Sequence, residues 1–285
     1  MTLDSAAPTL VAENLHRTFA AGRSQPPVTA VDNVSFHIDP GESVGLVGES
    51  GSGKSTIARI VAGLERPDRG VLTVHGDDRL ARARGRAARL RRARAVQMVF
   101  QDPYGSLDRR LTVGQCLHHA MALHGHGSRT EIRRRVRELL DQVRLEAKHA
   151  DFKPHQLSGG QRQRVAIARA LAVTPGILVL DEAVSALDVS VQAQILALLN
   201  DIRADSAVGL LFVSHDLAVV QEVTDRALVL YQGAIVESGY TAAVLHSPQH
   251  PYTRMLVASA PCAGWDPTEV ITKRREFTET LQPAG

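Results

Sequence analysis

The sequence predicts an α/β fold built on a parallel sheet, and three observations lead to this prediction. Short apolar runs separated by turn residues fill residues 8–76 and are typical of strands. After Ser158, apolar runs alternate with helical patterns, which favours parallel strands joined by crossover helices. A glycine-rich loop joins a predicted strand to a predicted helix near residue 50.

The predicted elements of the first half follow from local patterns. Strands are predicted for the runs TLVAENL, AVDNVSFHI, SVGLVG and GVLTVHG, with a Gly- and Pro-rich loop at Ala20 to Pro27 and a helix after Lys54. From about Asp77 to Lys153 the apolar spacing becomes helical. One helical face carries Ile132, Val136, Leu139, Leu140 and Val143. We therefore expect a helical subdomain here.

The second half predicts alternating helices and strands. The order is a helix in QRQRVAIARALA, a strand in ILVL ending at Asp181, a helix from about Val191 to Ala204, and a strand in VGLLFVS. A last short helix is predicted for TRMLVASA, and little apolar periodicity follows from Cys262 onward.

Composition excludes several classes of protein. The 285 residues, 44% hydrophobic and 22% charged, have the composition of a folded globular chain rather than a disordered one. The longest stretch without Asp, Glu, Lys or Arg, from Leu111 to Ser128, holds four histidines and three glycines, so we expect no membrane span. The N-terminal residues do not resemble a secretory signal, which predicts a cytoplasmic chain. Cys116 and Cys262 match neither a disulfide framework nor a metal pattern.

Positive charge is concentrated in one run. The 33 Lys and Arg against 30 Asp and Glu give a net charge of +3, and eight arginines without an acid lie between Arg79 and Arg94. Such a run could contact nucleic acid or anionic lipid headgroups, but no aromatic residues interleave it, which favours a solvated surface. Four histidines (His118, His119, His124 and His126) could bind a metal, but their spacing favours a surface helix end.

A phosphate-binding loop is predicted at the end of the strand SVGLV. The pattern GxxxxGK[ST] with its following threonine comprises Gly48, Glu49, Ser50, Gly51, Ser52, Gly53, Lys54, Ser55 and Thr56. Its glycines let backbone N–H groups form a concave row, and the next helix points its positive end at the same place. Lys54 is expected to reach the β- and γ-phosphates, Ser55 to complete the shell of a Mg²⁺ ion, and Thr56 to lie beside the α-phosphate.

A pair of carboxylates follows a second apolar strand. Asp181 ends the run ILVL, where it is positioned for the Mg²⁺ shell, and Glu182 follows where it can orient or deprotonate water. A kinase or GTPase shares the phosphate loop, but two adjacent acids after a buried strand favour hydrolysis. These residues thus predict a bound nucleotide with Mg²⁺.

Between these two sites stands Leu157-Ser-Gly-Gly-Gln161, and with it the chain resembles the nucleotide-binding subunits of ATP-binding cassette (ABC) transporters over roughly residues 9–261. The motifs occur in the family's order: Phe19, the loop 48–56, Gln101, the signature 157–161, Asp181 and Glu182, Ser185-Ala-Leu-Asp188, and His215. The resemblance implies a P-loop NTPase with a RecA-like core, an N-terminal antiparallel β subdomain, a helical subdomain and a short C-terminal extension. The expected bounds are 8–245 for the ATP-binding domain, about 86–165 for its helical subdomain, and 246–285 for the extension.

The resemblance also implies roles for single residues. Phe19 is expected to stack on adenine, Gln101 to touch Mg²⁺ and the attacking water, and His215 to hold the γ-phosphate. Asp188 is expected to carry a signal across a dimer. Ala183 and Phe19 depart from the proline and tyrosine that are usual in the family, but neither change removes a charge or a donor, so a competent ATPase is expected.

The residues of the signature segment also have a physical interpretation that does not depend on the family. Ser158 can cap a helix beginning at Gln161, and its hydroxyl with the N–H groups of Gly159 and Gly160 forms a second anion site. In the family this segment faces the γ-phosphate held by a second subunit. An isolated monomer is therefore expected to have weak activity.

The segment from Ser247 to Pro261 is similar to the HPYT segment of oligopeptide, dipeptide and nickel importer ATPases. Fused membrane spans, a second cassette, coiled coils and zinc modules, typical of other ABC classes, are not found in the sequence. The resemblance implies a peptide importer ATPase bound peripherally at the cytoplasmic face of the membrane. The alternatives are a nickel or metal-chelate importer and, less favoured, a soluble ATPase acting on ribosomes or DNA.

The partners implied by the resemblance are two transmembrane permease subunits, a second ATPase subunit and an extracellular solute-binding protein. The second ATPase subunit is either identical or homologous to this one. No nucleic acid partner is expected.

Overall fold

The computed structural model describes residues 7–20, 26–125, 127–260 and 267–281. His126, Cys262 and most of the predicted loop from Ala20 to Pro27 lie outside these ranges. Within them, the ten strands are β1 (Leu10–Phe19), β2 (Val28–Ile38), β3 (Ser43–Val47), β4 (Arg69–Val74), β5 (Asp77–Asp78), β6 (Val96–Val99), β7 (Ile177–Asp181), β8 (Gly209–Val213), β9 (Arg226–Tyr231) and β10 (Ala234–Tyr240).

Eleven α-helices lie among the described residues. They are α1 (Lys54–Ala62), α2 (Gly85–Ala95), α3 (Pro103–Ser106), α4 (Val113–Leu123), α5 (Arg129–Gln142), α6 (Gly159–Leu171), α7 (Val189–Asp205), α8 (Leu217–Val223), α9 (Thr241–His246), α10 (Pro251–Ala258) and α11 (Pro267–Leu281). Two short 3₁₀ turns, Ala147–Asp151 and Pro154–Gln156, precede α6. None of these described helices is long and apolar enough to cross a membrane.

The strands form two sheets. The first is antiparallel, in the order β2-β1-β4-β5. The second has the order β10-β9-β3-β8-β7-β6, in which β9, β3, β8, β7 and β6 run parallel and β10 is an antiparallel edge. The predicted parallel sheet is therefore confirmed. Its short buried strands satisfy their backbone hydrogen bonds with one another, and helices connect them.

Alternate residues of the parallel sheet enter two hydrophobic cores. In β7, Leu178 and Leu180 face the core shared with α4 to α8, whereas Ile177 and Val179 face the core shared with α1 and the antiparallel sheet. The sheet is buried on both faces, which explains why its strands are continuous apolar runs rather than alternating patterns. Because both faces of the sheet are covered, the ends of its strands are the places left open for a functional site.

Most predicted elements are confirmed, and the differences have identifiable causes. The region from Asp77 to Lys153, predicted as helical, contains the strand β6, which is only four residues long and shows no measurable period. The structure also adds β9, β10 and α9, and α11 occupies part of the region where little periodicity was found. The expected domain bounds of 8–245, about 86–165 and 246–285 stay predictions, although β6 within the second range pairs with β7 of the core sheet.

Two short sequence predictions can be placed on the fold. The arginine run forms α2 and the turn before it, and no residue of α2 is buried. Arg79 and Arg92 each donate to the other's carbonyl oxygen, over 2.7 and 3.0 Å. The run therefore covers a surface, as the absence of interleaved aromatic residues indicates. His118 and His119 lie on α4, with ring centroids 6.1 Å apart.

Candidate nucleotide site

The candidate site lies at the edge of the parallel sheet where the strands end. The phosphate loop follows β3, Gln101 follows β6, Asp181 ends β7, and His215 follows β8. Since β3, β8, β7 and β6 are neighbours in that order, their carboxyl ends bring these residues to one edge. Such an edge is where open α/β sheets bind their ligands.

The phosphate loop connects β3 to α1 in a conformation that needs glycine at two positions. Gly48 has φ of 150° and Gly53 has φ of 106°. A Cβ atom would lie 2.3 Å from the carbonyl oxygen of Leu230 at Gly48, and 2.1 Å from that of Ala30 at Gly53. Neighbouring backbone therefore confines the loop at both ends, and only glycine fits.

Two hydrogen bonds to residues outside the loop hold its backbone. The N–H group of Gly233 donates to the carbonyl oxygen of Ser52 over 2.9 Å. The N–H group of Glu49 donates to the hydroxyl oxygen of Tyr252 over 2.9 Å. Glu49, Ser50, Gly51 and Ser55 are exposed, whereas Gly48, Ser52 and Lys54 are buried and Gly53 and Thr56 are intermediate. The loop is thus fixed from behind and open in front.

Lys54 turns its ammonium group into the loop. Its Nζ donates to the carbonyl oxygens of Gly48 and Glu49 over 2.7 and 2.8 Å, and lies 3.4 Å from Ser52 Oγ. Burial lowers the pKa of Lys54, while the nearby carboxylates of Glu182 and Asp181 act in the opposite direction. A phosphate group in the loop would satisfy this buried cation with a full negative charge, which favours anion binding.

The expected metal ligands lie side by side. Ser55 Oγ donates to Asp181 Oδ1 over 3.1 Å, although the two residues are 126 positions apart in sequence. Burial raises the pKa of the Asp181 carboxyl, and Glu182 adds to the effect. A hydroxyl and a desolvated carboxylate are the oxygen ligands that Mg²⁺ prefers, so these residues fit that ion.

The second carboxylate pairs with the predicted histidine. His215 Nδ1 lies 3.3 Å from Glu182 Oε1. Glu182 has a positive φ of 48°, which costs a residue with a side chain about 1–2 kcal/mol. Its N–H group donates to the carbonyl oxygen of Val213 over 3.0 Å, so β8 holds the carboxylate at the sheet edge. The pair has the composition of a site that orients a water molecule and senses an anion.

Gln101 is connected to this pair through a residue to which the sequence assigned no role of its own. Gln101 Nε2 donates to Ser185 Oγ over 3.3 Å, and Ser185 Oγ donates to the carbonyl oxygen of Glu182 over 2.9 Å. Ser185 therefore links the loop after β6 to the backbone of Glu182.

The signature segment forms a capping box at the start of α6. Ser158 Oγ accepts from the N–H group of Gln161 over 3.2 Å, and Gln161 Oε1 accepts from the N–H group of Ser158 over 2.9 Å. The helix begins at Gly159, two residues earlier than the predicted start at Gln161, because Ser158 is its N-cap. Ser158 and Gly159 are exposed, while Gly160 packs against Val191, whose Cγ1 lies 2.3 Å from the position of an added Cβ.

The two remaining predicted residues make local contacts. Asp188 caps α7 by accepting from the N–H group of Val191 over 3.0 Å and from Ser190 Oγ over 2.8 Å, and these bonds lower the pKa of its carboxyl. Phe19 ends β1 with 37% of its surface exposed, and the Arg17 guanidinium lies 4.7 Å from its ring centroid. Both residues are placed without a described bond to the phosphate loop, and their expected roles stay predictions.

Comparisons with known proteins identify the family of this chain. The family model described as ABC transporter matches residues 31–185. The glutathione import ATP-binding protein GsiA of Salmonella typhimurium is 48% identical over 247 residues, which cover 87% of this chain and 39% of the relative. The protein of the same name from Pectobacterium atrosepticum is 48% identical over 236 residues, or 83% of this chain and 38% of the relative. The chain thus spans about two fifths of the length of these relatives.

Solved structures share the fold. The dimeric ATP-binding cassette MJ0796 bound to ADP and Pi matches with a TM-score of 0.71 and 30% identity, covering 81% of this chain and 98% of that one. The cbiO1 protein of Clostridium perfringens, part of the ABC transporter complex cbiONQ, matches with a TM-score of 0.73 and 26% identity over 84% of this chain and 91% of that one. The match of the family model to more than half of the chain, on a fold that carries the phosphate loop, the carboxylate pair and the signature, shows that this chain belongs to the ABC transporter family.

Proposed function

We propose that this chain binds and hydrolyses ATP as the nucleotide-binding subunit of an ABC importer. The observation that carries the proposal is the convergence of Lys54, the Ser55–Asp181 pair and the Glu182–His215 pair at one sheet edge. Phosphoryl transfer to water requires a cation that binds the phosphates and a pair of metal ligands. It also requires a base that orients the water, beside a group that contacts the γ-phosphate. The solved cassette bound to ADP and Pi has the same fold, which supports this assignment.

The residues of the site divide the chemistry among them. The backbone N–H groups of residues 48–56 cradle the phosphates, and Lys54 exchanges its carbonyl partners for oxygens of the β- and γ-phosphates. Ser55, Asp181 and Gln101 would hold Mg²⁺, which would neutralise charge on the phosphate oxygens. Glu182 orients the attacking water in line with the γ-phosphate, and His215 contacts the γ-phosphate oxygens.

The signature is proposed to complete the site of a second cassette. Ser158 and Gly159 are exposed, and the N–H groups of Gly159 and Gly160 start a helix whose positive end faces outward. Such a surface stabilises the γ-phosphate held by a partner subunit. The active form is therefore a dimer, with an identical or homologous cassette, in which two ATP molecules lie between the two chains.

The transport role is proposed from the relatives. They are named as glutathione import proteins, and glutathione is a tripeptide, so a peptide is the proposed cargo class. The proposed assembly contains two transmembrane permease subunits and a solute-binding protein outside the cell, with the ATPase bound peripherally at the cytoplasmic face. Recovery of permeases with the tagged chain from solubilised membranes would support this role, and recovery of ribosomal or DNA-repair proteins alone would refute it.

The hydrolytic step is tested with Glu182→Gln. Removing the group that orients water should lower the hydrolysis rate by at least about 100-fold, as general bases contribute about 10²–10⁴-fold. ATP binding should be retained, and the ATP-bound dimer should accumulate on a sizing column. Glu222→Gln, on the exposed face of α8, is the matched control and should hydrolyse ATP at the parental rate. Parental hydrolysis by Glu182→Gln would contradict the assigned role.

A further inference from the structure

The phosphate loop is bound from outside by a residue of the C-terminal segment. Tyr252 lies on α10 and its side chain is fully buried. Its hydroxyl oxygen accepts a hydrogen bond from the N–H group of Glu49 over 2.9 Å, and burial raises the pKa of this phenol, which keeps it neutral. Glu49 is the second residue of the phosphate loop. The C-terminal segment therefore contacts the main chain of the loop through this hydrogen bond.

An aromatic cluster fixes the ring of Tyr252. Its centroid lies 4.5 Å from that of Tyr231 and 5.3 Å from that of Phe277, and the Tyr231 and Phe277 centroids are 5.1 Å apart. Tyr231 ends β9, directly after Leu230, whose carbonyl oxygen confines Gly48. The cluster thus joins α10 and α11 to the same strand that closes the loop from behind. Such aromatic contacts restrict the ring to one position.

The start of α10 is equally well held. The carboxylate of Glu237, on β10, accepts from the N–H groups of Gln249 and His250 over 2.8 and 2.9 Å. His250 is the N-cap of the helix and accepts from the N–H group of Tyr252 over 3.2 Å through Nδ1. The hydrogen bonds at the start of α10 and the aromatic contacts of the ring together determine where the Tyr252 hydroxyl lies. It is a rigid support rather than a surface side chain that happens to reach the loop.

Arg274 of α11 approaches the same loop residue. Its Nη2 lies 3.9 Å from Glu49 Oε1, and both side chains are largely exposed. An exposed ion pair at this distance contributes little to stability. The main chain of Glu49 is consequently held by Tyr252, and its side chain only weakly by α11.

We propose that Tyr252 is a positioning residue for the phosphate loop, through which α10 and α11 act on nucleotide affinity. The inference rests on the proposed function, because it assigns to the C-terminal segment a part in the same nucleotide site. A loop whose backbone is already fixed presents its N–H groups to the phosphates without losing further conformational entropy. Without the hydroxyl, the N–H group of Glu49 has no bond from behind, and the loop samples other conformations that bind phosphate less well.

The test uses Tyr252→Phe in the full chain, with ADP and ATP as the probes. This substitution keeps the ring in the aromatic cluster and removes only the hydroxyl. We expect the Kd for both nucleotides to rise about two- to thirteenfold, which is the range that corresponds to a net hydrogen-bond contribution of about 0.5–1.5 kcal/mol. The value of kcat at saturating ATP should stay within about twofold, because the groups at the γ-phosphate are untouched.

Tyr231→Phe is the matched control. Its hydroxyl oxygen accepts from Gln232 Nε2 over 3.0 Å, so its removal costs a hydrogen bond in the same cluster without touching the loop. Tyr231→Phe should bind ADP and ATP with parental Kd values. Equal weakening in both variants, in step with their melting temperatures, would overturn the proposal, as would a parental Kd in Tyr252→Phe.

Amide hydrogen exchange without nucleotide separates this inference from the proposed function. Exchange in the peptide that contains residues 48–54 should be faster in Tyr252→Phe than in the parental chain and in Tyr231→Phe. Unchanged exchange there would overturn the positioning role even if the parental chain hydrolyses ATP. Failure of the parental chain to bind ADP or ATP would instead overturn the proposed function.

Discussion

The phosphate loop (residues 48–56) and the signature segment (residues 157–161) both present backbone N–H groups at the start of a helix, but different parts of the molecule hold them. The phosphate loop is confined by the backbone of residues 30 and 230 and bonded to Gly233 and Tyr252. The signature segment is held at its N-cap by a capping box between Ser158 and Gln161. One site is built by the tertiary fold and the other mainly by its own sequence.

This difference separates the two functions expected of the chain. A loop fixed by distant residues is preorganised to bind phosphate on its own, so the monomer should have measurable affinity for ATP. An exposed capped helix start makes only one side of an anion site, and it needs a phosphate brought by another chain. Affinity should therefore depend on the phosphate loop and turnover on the signature. Two substitutions test this separation and a third tests the desolvation of the site, and they follow in order of expected effect.

Lys54→Ala should have the largest effect on affinity. The buried ammonium group is the only charge within the loop that can pair with a phosphate, and removing one partner of a buried charge pair costs about 2–5 kcal/mol. The Kd for ATP, measured by titration calorimetry, should rise at least about 30-fold. Lys148→Ala, which removes an exposed lysine paired with Glu146, is the control and should bind normally. Undiminished affinity in Lys54→Ala would refute the phosphate-loop assignment.

Ser158→Ala should separate turnover from affinity. Loss of the N-cap should lower the free energy of unfolding by about 1 kcal/mol and remove a donor proposed to face the partner's phosphate. We expect hydrolysis per chain to fall about tenfold or more, since oxyanion-type donors contribute about 10²–10³-fold. The Kd for ATP should not change.

Ser128→Ala is the matched control for this substitution. Ser128 caps α5 with the same kind of capping box, formed with Glu131, outside the signature. It should lose similar stability and keep its hydrolysis rate. If Ser128→Ala loses hydrolysis to the same extent, the effect of Ser158→Ala reflects helix stability rather than the signature surface.

Asp181→Asn should have the smallest effect of the three substitutions. It should raise stability, whereas Ser158→Ala should lower it. Burial raises the pKa of the Asp181 carboxyl, so the folded chain binds its proton more readily than the unfolded chain does. Stability therefore falls as pH rises from the unfolded pKa through the folded one, and the charged carboxylate costs stability at a pH above both. Asn carries no charge, so the nucleotide-free variant should melt about 1–4 °C higher at pH 7.

The stability gain of Asp181→Asn should shrink as the pH is lowered through the raised pKa, because the parental carboxyl then becomes neutral too. Calorimetry at a series of decreasing pH values measures this trend. Asp205→Asn, at the exposed end of α7, is the control and should not show it. A lower melting temperature for Asp181→Asn at pH 7 would contradict the predicted desolvation cost.

Contiguous motifs made much of the candidate site predictable. The phosphate loop is nine consecutive residues that follow β3 and end in the first turn of α1, and Asp181 and Glu182 follow a buried run directly. In each case the proposed function depends on residues that are adjacent in the sequence. The local sequence pattern is therefore sufficient to predict the site. The same is true of the capping boxes at Ser128 and Ser158.

Contacts between distant segments were not predictable from one sequence. The bond between Glu49 and Tyr252 joins residues 203 positions apart, and the link from Gln101 through Ser185 spans 84 positions. The strand β6 was missed because four residues do not define a period. The helix α11 shows no apolar period in the sequence, because Phe277 is the only buried residue among residues 271–278. The aromatic ring of Tyr231, which packs against Phe277, is distant in the sequence.

The sequence by itself determined which residues can bind phosphate, hold a metal and orient water, because side-chain chemistry and short-range spacing are sufficient for that. The tertiary structure alone decided how these residues meet, since the parallel order of β3, β8, β7 and β6 brings Asp181 to Ser55 and His215 to Glu182. It also decided that the C-terminal helices support the phosphate loop. Packing of distant segments depends on burial and shape over the whole core, and no local pattern contains that information.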